Sequence, residues 1–234
     1  MNQKIQYIVW PSGKLKKKNT RIELEKVKKL GYFWKDPWDI VEIFEKKIAK
    51  FSGSKYAITC DCCSHGLFLV LKYLKAKGKI IIPKRTYVSV PAQIIHAGCK
   101  VIFKDIQWIG AYRLNPYPVW DFATRWTKGM FNGEFNICSF QIKKKIPIGR
   151  GGAILTNDKK AYQWLKMARY DGRDIRKNYM KNNYKILGWH YYMTPEDAAR
   201  GIILMDQTPK INEDTGGSKN YSDISKFKIF SSKV

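Results

Sequence analysis

The sequence predicts an α/β domain whose sheet is mostly parallel. Short apolar runs rich in β-branched residues alternate with stretches of helical apolar spacing through the middle of the chain. The chain has 234 residues, of which 44% are hydrophobic and 14% aromatic, enough to fill the core of one large domain. When strands alternate with helices, each helix carries the chain back to the same edge of the sheet, which favours parallel pairing.

The helices are predicted from apolar spacing and from the residues that begin and end them. Apolar residues recur at helical spacing after Asp39, and Gly53 ends that pattern. Thr194 precedes a proline and two acids, an arrangement typical of a helix start. In chain order, the predicted helices cover 40–52, 64–75, 89–97, 159–170 and 195–206. The predicted strands cover 56–60, 79–83, 100–105, 118–121, 136–140 and 151–156.

Composition divides the chain into three predicted parts. Residues 1–36 form a basic N-terminal arm, residues 37–206 the α/β domain, and residues 207–234 a polar tail. The tail contains two adjacent glycines and has weak periodicity, so we expect it to be disordered or only loosely docked.

The net charge of +25 restricts the partners of the protein rather than its fold. An excess of 44 Lys and Arg over 19 Asp and Glu attracts polyanions: nucleic acid, an anionic membrane surface or phosphorylated small molecules. The cations are mostly lysines scattered along the chain, so we expect much of the excess to lie on solvated faces.

The cysteines and the apolar segments exclude several classes of protein. The odd count of five cysteines, without framework spacing, argues against a disulfide scaffold. Cys60, Cys62 and Cys63 cluster, but no second Cys/His cluster with zinc spacing follows, so no metal site is predicted. Residues 1–10 show no signal-peptide pattern, and no stretch approaches the ~20 apolar residues of a membrane span. We therefore expect a soluble cytoplasmic protein.

Two segments that follow predicted strands carry residues suited to binding a flat phosphorylated ligand. Ligands of open α/β sheets bind beyond the carboxyl ends of the strands, often with phosphate at a helix N-terminus. The segment 62–66 has small residues that let backbone N–H groups approach a phosphate, and Ser64 adds a hydroxyl. Tyr87 follows the next strand, where its ring can stack on a planar ligand. Each feature alone is equally compatible with an ordinary turn and an ordinary packed tyrosine.

Two further segments carry a carboxylate and an amine. Asp121 ends an apolar strand, where a buried acid requires a partner, and a protonated pyridine nitrogen is one such partner. Lys144 lies between two other lysines, whose charges favour the neutral, nucleophilic form of an amine. Alone, Asp121 can equally be a helix cap or a surface acid, and the lysines a solvated basic run.

Taken together and in order, these segments resemble the DegT/DnrJ/StrS family of pyridoxal-phosphate (PLP) dependent sugar aminotransferases. The run 139–144, Ser-Phe-Gln-Ile-Lys-Lys, resembles the family motif Ser-Phe-His-x-x-Lys, and this register selects Lys144 as the lysine that bonds the cofactor. The run 62–67 falls where the family has Ser-Gly-Thr-Ala-Ala-Leu, the phosphate turn, and 188–193 resembles Gly-x-Asn-Tyr-Arg-Met. The resemblance implies these cofactor-binding residues: Cys63, Ser64, Tyr87, Asp121, Thr124, Ser139, Lys144 and His190.

The resemblance also implies a fold, a cofactor and partners. It implies a fold-type I PLP-transferase-like large domain, with the smaller C-terminal domain of the family largely absent. It implies pyridoxal 5'-phosphate as cofactor, a nucleotide-linked keto sugar and an amino donor such as glutamate as substrates, and a homodimer. Asp121 would hold the pyridine nitrogen, Tyr87 would stack on the ring, and the segment of His190 would reach the site of the partner subunit.

The chain departs from the family pattern at several of these positions. Set against the family pattern, the stretch between Asp105 and Asp121 is short by one strand–helix unit. The substitutions relative to the family are Cys63 for Gly, Thr124 for Gln, Gln141 for His, Arg150 for an acid, His190 for Asn and Tyr192 for Arg. Two alternatives therefore stay open: a catalytically degenerate PLP-fold binding protein, and a basic α/β protein that binds nucleic acid through aromatics such as Tyr32, Phe33 and Trp34.

Overall fold

The computed structural model describes residues 22–230, so the first part of the predicted basic arm lies outside the described residues. The helices are α1 (Ile22–Lys29), α2 (Pro37–Ser52), α3 (Cys63–Tyr73), α4 (Ser89–His96), α5 (Lys159–Ala168) and α6 (Pro195–Gln207). The strands are β1 (Tyr56–Cys60), β2 (Lys79–Pro83), β3 (Lys100–Lys104), β4 (Tyr112–Arg113), β5 (Val119–Asp121), β6 (Phe135–Ser139) and β7 (Gly152–Thr156). Short 3₁₀ turns lie at Tyr179–Lys181, Ser218–Asn220 and Lys228–Phe230.

The strands form a five-stranded sheet in the order β1-β7-β6-β5-β4 and a separate parallel pair, β2-β3. An antiparallel bridge between Ile81 and Asn115 joins the pair to the β4 side of the larger sheet. The α/β class is confirmed, and every predicted strand is present within one or two residues of its predicted bounds.

The prediction of a mostly parallel sheet is wrong. Among the described residues, three of the five strand pairings are antiparallel: β1-β7, β6-β7 and β4-β5. The chain between β6 and β7 contains no helix, and neither does the short connection from β4 to β5, so in both places the chain reverses instead of crossing over. The strand and helix alternation that favours parallel pairing holds only as far as β3.

Helices cover both faces of the sheet and divide the core into two clusters. One cluster contains the buried faces of α3, α4 and α5 with Ile137 and Ile154 of the sheet. The other contains those of α1, α2 and α6 with Cys138 and Leu155. Neighbouring residues of β6 and β7 point into opposite clusters because side chains alternate along a strand.

The termini of α2 show how the sequence sets the helix bounds. Asp36 accepts a hydrogen bond from the Trp38 N–H at 2.9 Å, and Asp39 accepts from the backbone of Asp36, which completes a capping box. Gly53 ends the helix at φ +86°, a conformation that favours glycine. The helix therefore begins before Asp39, the position at which its apolar spacing becomes visible.

The segment that follows α6, here called the C-terminal segment (residues 208–230), is not loosely docked. Its backbone exchanges hydrogen bonds with the region before and after β5: Thr215 N–H to the Thr124 carbonyl at 2.9 Å, and Gly110 N–H to the Gly216 carbonyl at 2.8 Å. An ion pair of 2.7 Å joins Arg125 to Asp214. These contacts are made by backbone groups and one charge pair, so no pattern of apolar residues in the sequence indicates them.

No helix in the described part of the chain has both the length and the apolar character needed to cross a bilayer.

Candidate active site

A cavity of about 550 Å³ opens at one edge of the sheet. Seven of the eight predicted binding residues line it: Cys63, Ser64, Tyr87, Asp121, Thr124, Ser139 and Lys144. They come from four separate stretches of sequence, so the fold alone brings them together.

The strand register explains why these stretches meet. Gly152, the first residue of β7, pairs with both Cys60 at the end of β1 and Ser139 at the end of β6. Because β5 runs parallel to β6, with Asp121 beside Ile137, Asp121 points from the same edge. The carboxyl ends of β1, β5 and β6 and the amino end of β7 therefore lie at the same edge of the sheet.

The predicted phosphate turn is the N-terminus of α3. Cys62 caps the helix, its Sγ accepting a hydrogen bond from the His65 N–H at 3.4 Å. Cys63 has a negative φ, so its backbone does not require the glycine of the family pattern, and its thiol lies buried 3.6 Å from the Ile137 carbonyl. A Cβ on Gly152 would lie 2.5 Å from the Cys63 nitrogen, so glycine there lets the turn rest on β7.

Hydroxyl groups surround the same helix end. The Oγ atoms of Ser64 and Ser89 lie 2.6 Å apart, joining the first turns of α3 and α4. Ser139 also lines the cavity, and its Oγ accepts from the Gln141 N–H at 3.4 Å. Backbone N–H groups at a helix N-terminus, with nearby hydroxyls, form a ready anion site.

Asp121 is the buried acid of the cavity, only 5% exposed. Its Oδ1 accepts from the Ala123 N–H and its Oδ2 from the Tyr112 hydroxyl, each at 2.8 Å. Burial raises the pKa of the Asp121 carboxyl, while these two hydrogen bonds and the positive charge of Lys144 act in the opposite direction. The charge of Lys144 thus reaches Asp121 inside one cavity.

Lys144 lies half-buried in the loop between β6 and β7. Its backbone N–H donates to the Gln141 carbonyl at 2.8 Å, and the Gln141 side chain accepts from the Lys143 N–H at 2.8 Å. These turn contacts fix the spacing of the lysines relative to Ser139. Lys143 lines the cavity as well, and its side chain is exposed.

Tyr87 and Thr124 occupy opposite environments. Tyr87 is 58% exposed at the cavity mouth, open to a ligand. Thr124 is buried, and its hydroxyl lies 2.9 Å from the Gly110 carbonyl and 3.1 Å from the Gly216 carbonyl. Thr124 therefore holds the C-terminal segment in place, in addition to lining the cavity.

His190 lies outside the cavity of its own chain, and its expected role at the cofactor of a partner subunit stays a prediction. Its side chain is 68% exposed. An antiparallel bridge to Tyr170 turns His190 outward, where Nδ1 meets the Asp171 carboxylate at 3.0 Å.

A positively charged group flanks the cavity beside α3. Burial disfavours protonation of His65, but hydrogen bonds with Asp61 and Cys62 outweigh it and raise the pKa of His65 to about 9. The His65 ring also stacks on Tyr191 with centroids 3.7 Å apart. Ligand atoms of Asp61, Cys62 and His65 lie within 4.8 Å of one another, but Asp61 is occupied by His65 and by Arg150, whose Nη2 is 2.7 Å away.

Sequence reasoning missed several residues of the cavity wall. Thr86 lies one position before the predicted Tyr87, and Trp108 lies in the stretch where no motif was recognised. Asn220 and Tyr221 come from the C-terminal segment, and Tyr221 stacks on Trp108 at 5.7 Å. The only signal in the sequence was the aromatic content of these stretches.

Comparison with known proteins agrees with this architecture. The chain matches the DegT/DnrJ/EryC1/StrS aminotransferase family over residues 16–132 and 128–216. A GDP-perosamine synthase of Caulobacter vibrioides is 24% identical over 213 residues, covering 72% of this chain and 56% of that protein. An uncharacterized protein of Methanocaldococcus jannaschii is 25% identical over 212 residues, covering 68% and 55%. The chain thus spans about half the length of the curated relatives it matches.

The similarity extends to solved structures. AtS13 from Actinomadura melliaura superposes with a TM-score of 0.66 at 17% identity, covering 79% of this chain and 63% of that one. Such a likeness confirms the predicted fold-type I architecture of the large domain. With the family match extending over most of the sequence and the fold agreeing with it, the chain belongs to the DegT/DnrJ/EryC1/StrS aminotransferase family.

Proposed function

We propose that the protein is a PLP-dependent aminotransferase that acts on a nucleotide-linked keto sugar. The observation that carries the proposal is the placement of Asp121 and Lys144 in one cavity beside the N-terminus of α3. Family membership and the similarity to a GDP-perosamine synthase support the substrate class.

The residues of the cavity fit pyridoxal 5'-phosphate by their chemistry. The helix end with the hydroxyls of Ser64 and Ser139 suits a phosphate, and the buried Asp121 carboxylate suits a protonated ring nitrogen. Lys144 supplies the amine for an aldehyde, and Tyr87 an open ring face for stacking. When bound, this cofactor supplies an electron sink.

The side chains of this chain would divide the work among them. Asp121 would hold a proton at the ring nitrogen: burial raises the pKa of its carboxyl, and the two hydrogen bonds it accepts favour the charged form that such a nitrogen requires. The Nζ of Lys144 would hold the aldehyde of the cofactor and, once released from it, would carry a proton within the cavity. Trp108 and Tyr221 cover one side and exclude water there.

The cavity mouth favours anionic substrates. Lys143 and Arg150 both line it, and the net charge of the chain is +25. These charges would attract the phosphates of a nucleotide-linked sugar and the carboxylates of an amino donor such as glutamate. In a homodimer, the exposed segment around His190 would be free to contact the site of the partner subunit.

Reductive trapping tests the proposal directly. Protein incubated with PLP should turn yellow, and borohydride followed by peptide mass mapping should place the cofactor on Lys144. Lys144→Ala should abolish colour and adduct, whereas Lys143→Ala and Lys145→Ala, matched controls in the same loop, should keep both. An adduct on another lysine, or none in a folded protein, would contradict the proposal.

The two alternatives make different predictions. A degenerate PLP-fold protein would form the adduct at Lys144 but would not convert PLP to its amino form when glutamate is added. Binding to nucleic acid through aromatics is weakened by the burial of Trp34, which is 6% exposed, and by the contact of the Tyr32 hydroxyl with Lys47 at 2.7 Å. Only Phe33 of that trio is largely exposed, at 76%.

A further inference from the structure

The Asp121 carboxylate is held by a chain of hydroxyl groups from outside the recognised motifs. The Tyr112 hydroxyl donates to Oδ2 of Asp121 at 2.8 Å, and the Thr86 hydroxyl contacts the Tyr112 oxygen. All three side chains are buried, with exposures of 2% for Thr86, 4% for Tyr112 and 5% for Asp121. These low exposures leave little of the three side chains open to water.

The direction of the hydrogen bonds follows from the number of protons. A tyrosine has one hydroxyl proton, and that of Tyr112 is used by Asp121, so Thr86 must donate to the Tyr112 oxygen. Burial, and then the Asp121 charge, raise the pKa of Tyr112 well above its usual value, which keeps it protonated and donating. The chain thus runs from Thr86 through Tyr112 to Asp121, and each bond strengthens the next.

The backbone and the packing fix Tyr112 in this role. Tyr112 belongs to the two-residue strand β4 and lies directly opposite Asp121 in the antiparallel register. The Trp108 ring packs on the Tyr112 ring at 4.8 Å, and its Nε1 donates to the Arg85 carbonyl at 2.8 Å. The position of Tyr112 is therefore set from both sides.

We propose that Tyr112 is a positioning residue that orients Asp121 and keeps it ionised for a protonated ring nitrogen, an inference that rests on the proposed function. Ala123 occupies one carboxylate oxygen and Tyr112 the other, each by a single bond, so both oxygens retain lone pairs. Two fixed donors restrict the carboxylate plane, and hydrogen bonds to the charged form offset the effect of burial. Without Tyr112, the carboxylate would be freer to rotate and more readily protonated.

Paired ligands separate this role from a general structural one. PLP and an analogue with a C–H group in place of the ring nitrogen are titrated calorimetrically into the full-length protein. Wild type should bind PLP more tightly than the analogue. Tyr112→Phe, which removes one oxygen, should weaken PLP binding about tenfold and leave the analogue unaffected, since the analogue makes no bond to Asp121. Tyr117→Phe is the matched control, because its hydroxyl contacts the Lys77 backbone away from the cavity and should change neither constant.

Each outcome has one meaning. If wild type binds neither ligand, the proposed function is overturned. If wild type binds both ligands with equal affinity, only the proposed recognition of the ring nitrogen by Asp121, and with it the role of Tyr112, is overturned. Equal weakening of both ligands by Tyr112→Phe, or no weakening, overturns the positioning role alone. If Tyr112→Phe does not fold, Thr86→Val must lower the preference for PLP over the analogue, and an unchanged preference overturns the inference.

Discussion

At the scale of single residues, a buried ion pair away from the cavity links three elements of the fold. Glu45 and Arg169 are each 4% exposed and form an ion pair. Glu45 accepts from the Thr59 N–H at 2.8 Å and from the Thr59 hydroxyl at 3.0 Å, and Arg169 also donates to the Thr59 carbonyl. This cluster ties α2 and β1 to the end of α5.

Breaking this pair on one side should be costly. Glu45→Leu leaves the Arg169 guanidinium buried without its carboxylate, so we expect the free energy of unfolding to fall by about 3–5 kcal/mol. Urea denaturation followed by far-ultraviolet circular dichroism would measure the loss. Glu25→Ala, which breaks the exposed Lys28–Glu25 pair of 3.8 Å, is the control and should cost under about 1 kcal/mol. Equal losses in the two variants would refute the distinction.

A residue of the site can be predicted from the sequence only when a local pattern marks it. Asp121 ends an apolar strand and Lys144 has a fixed offset from Ser139, and the structure places both in the cavity. Tyr112 could not be predicted, because its importance comes from its partner Asp121 across a strand pairing and no motif marks Tyr112 itself. His190 does not line the cavity of its own chain, and its role in the site of a partner subunit stays a prediction that a single chain does not test.

At the scale of elements, the N-terminus of α3 combines a cap with a charged ring. The raised pKa of His65, about 9 against 6.5 for the free side chain, means that the folded protein holds a proton more tightly than the unfolded chain. The groups facing the ring are Asp61, Cys62 and Tyr191, with Arg150 on the far side of Asp61. The stability due to His65 is thus fully present below about pH 6.5 and is lost as the pH rises through 9.

The pH dependence of unfolding tests this element. Wild type should lose about 1 kcal/mol more than His65→Phe between about pH 6 and pH 9.5, a value reduced for solvent screening of a ring that is 23% exposed. Phenylalanine keeps the stacking on Tyr191 but cannot bind a proton. Urea titrations at both pH values measure the difference, and other titrating groups cancel between the two proteins. Parallel curves would show that His65 does not bind the extra proton.

Element positions were more predictable than element directions. Apolar runs marked β1, β6 and β7 within a residue, because burial of both sheet faces leaves a continuous apolar signature. The direction of β7 depends on the connection before it, and the run 140–151 reads as a loop without stating which neighbour the next strand will join. No local sequence pattern shows which distant strand β7 will pair with.

At the scale of the whole molecule, the C-terminal segment completes the cavity wall. Its contacts include the ion pair between Arg125 and Asp214, backbone bonds around Thr124, the stacking of Tyr221 on Trp108 and the buried side chain of Ile224. The apolar contacts are isolated along the segment and the others are polar, so no periodic pattern in the sequence indicates that the segment docks.

Loosening the C-terminal segment should reduce both its protection from proteolysis and the binding of PLP. Arg125→Met removes the contact with Asp214, so we expect faster cleavage within residues 208–230 by a limited amount of protease and weaker PLP binding as Tyr221 withdraws. Mass spectrometry of timed digests would locate the cuts. Lys47→Met breaks a comparable ion pair with Asp206 far from the cavity and is the control. Identical digestion patterns in all three proteins would mean that the ion pair does not hold the segment.

The central position of β7 has a consequence for the folding of the newly synthesised chain. Within residues 22–230, β1 pairs with β7 alone, and Cys60 is synthesised about ninety residues before its partner Gly152. During that interval an apolar strand leaves the ribosome with no neighbour to cover its backbone, the condition under which nascent chains aggregate or recruit chaperones. Closure of this pairing joins residues about ninety positions apart, and such long-range contacts favour slow folding.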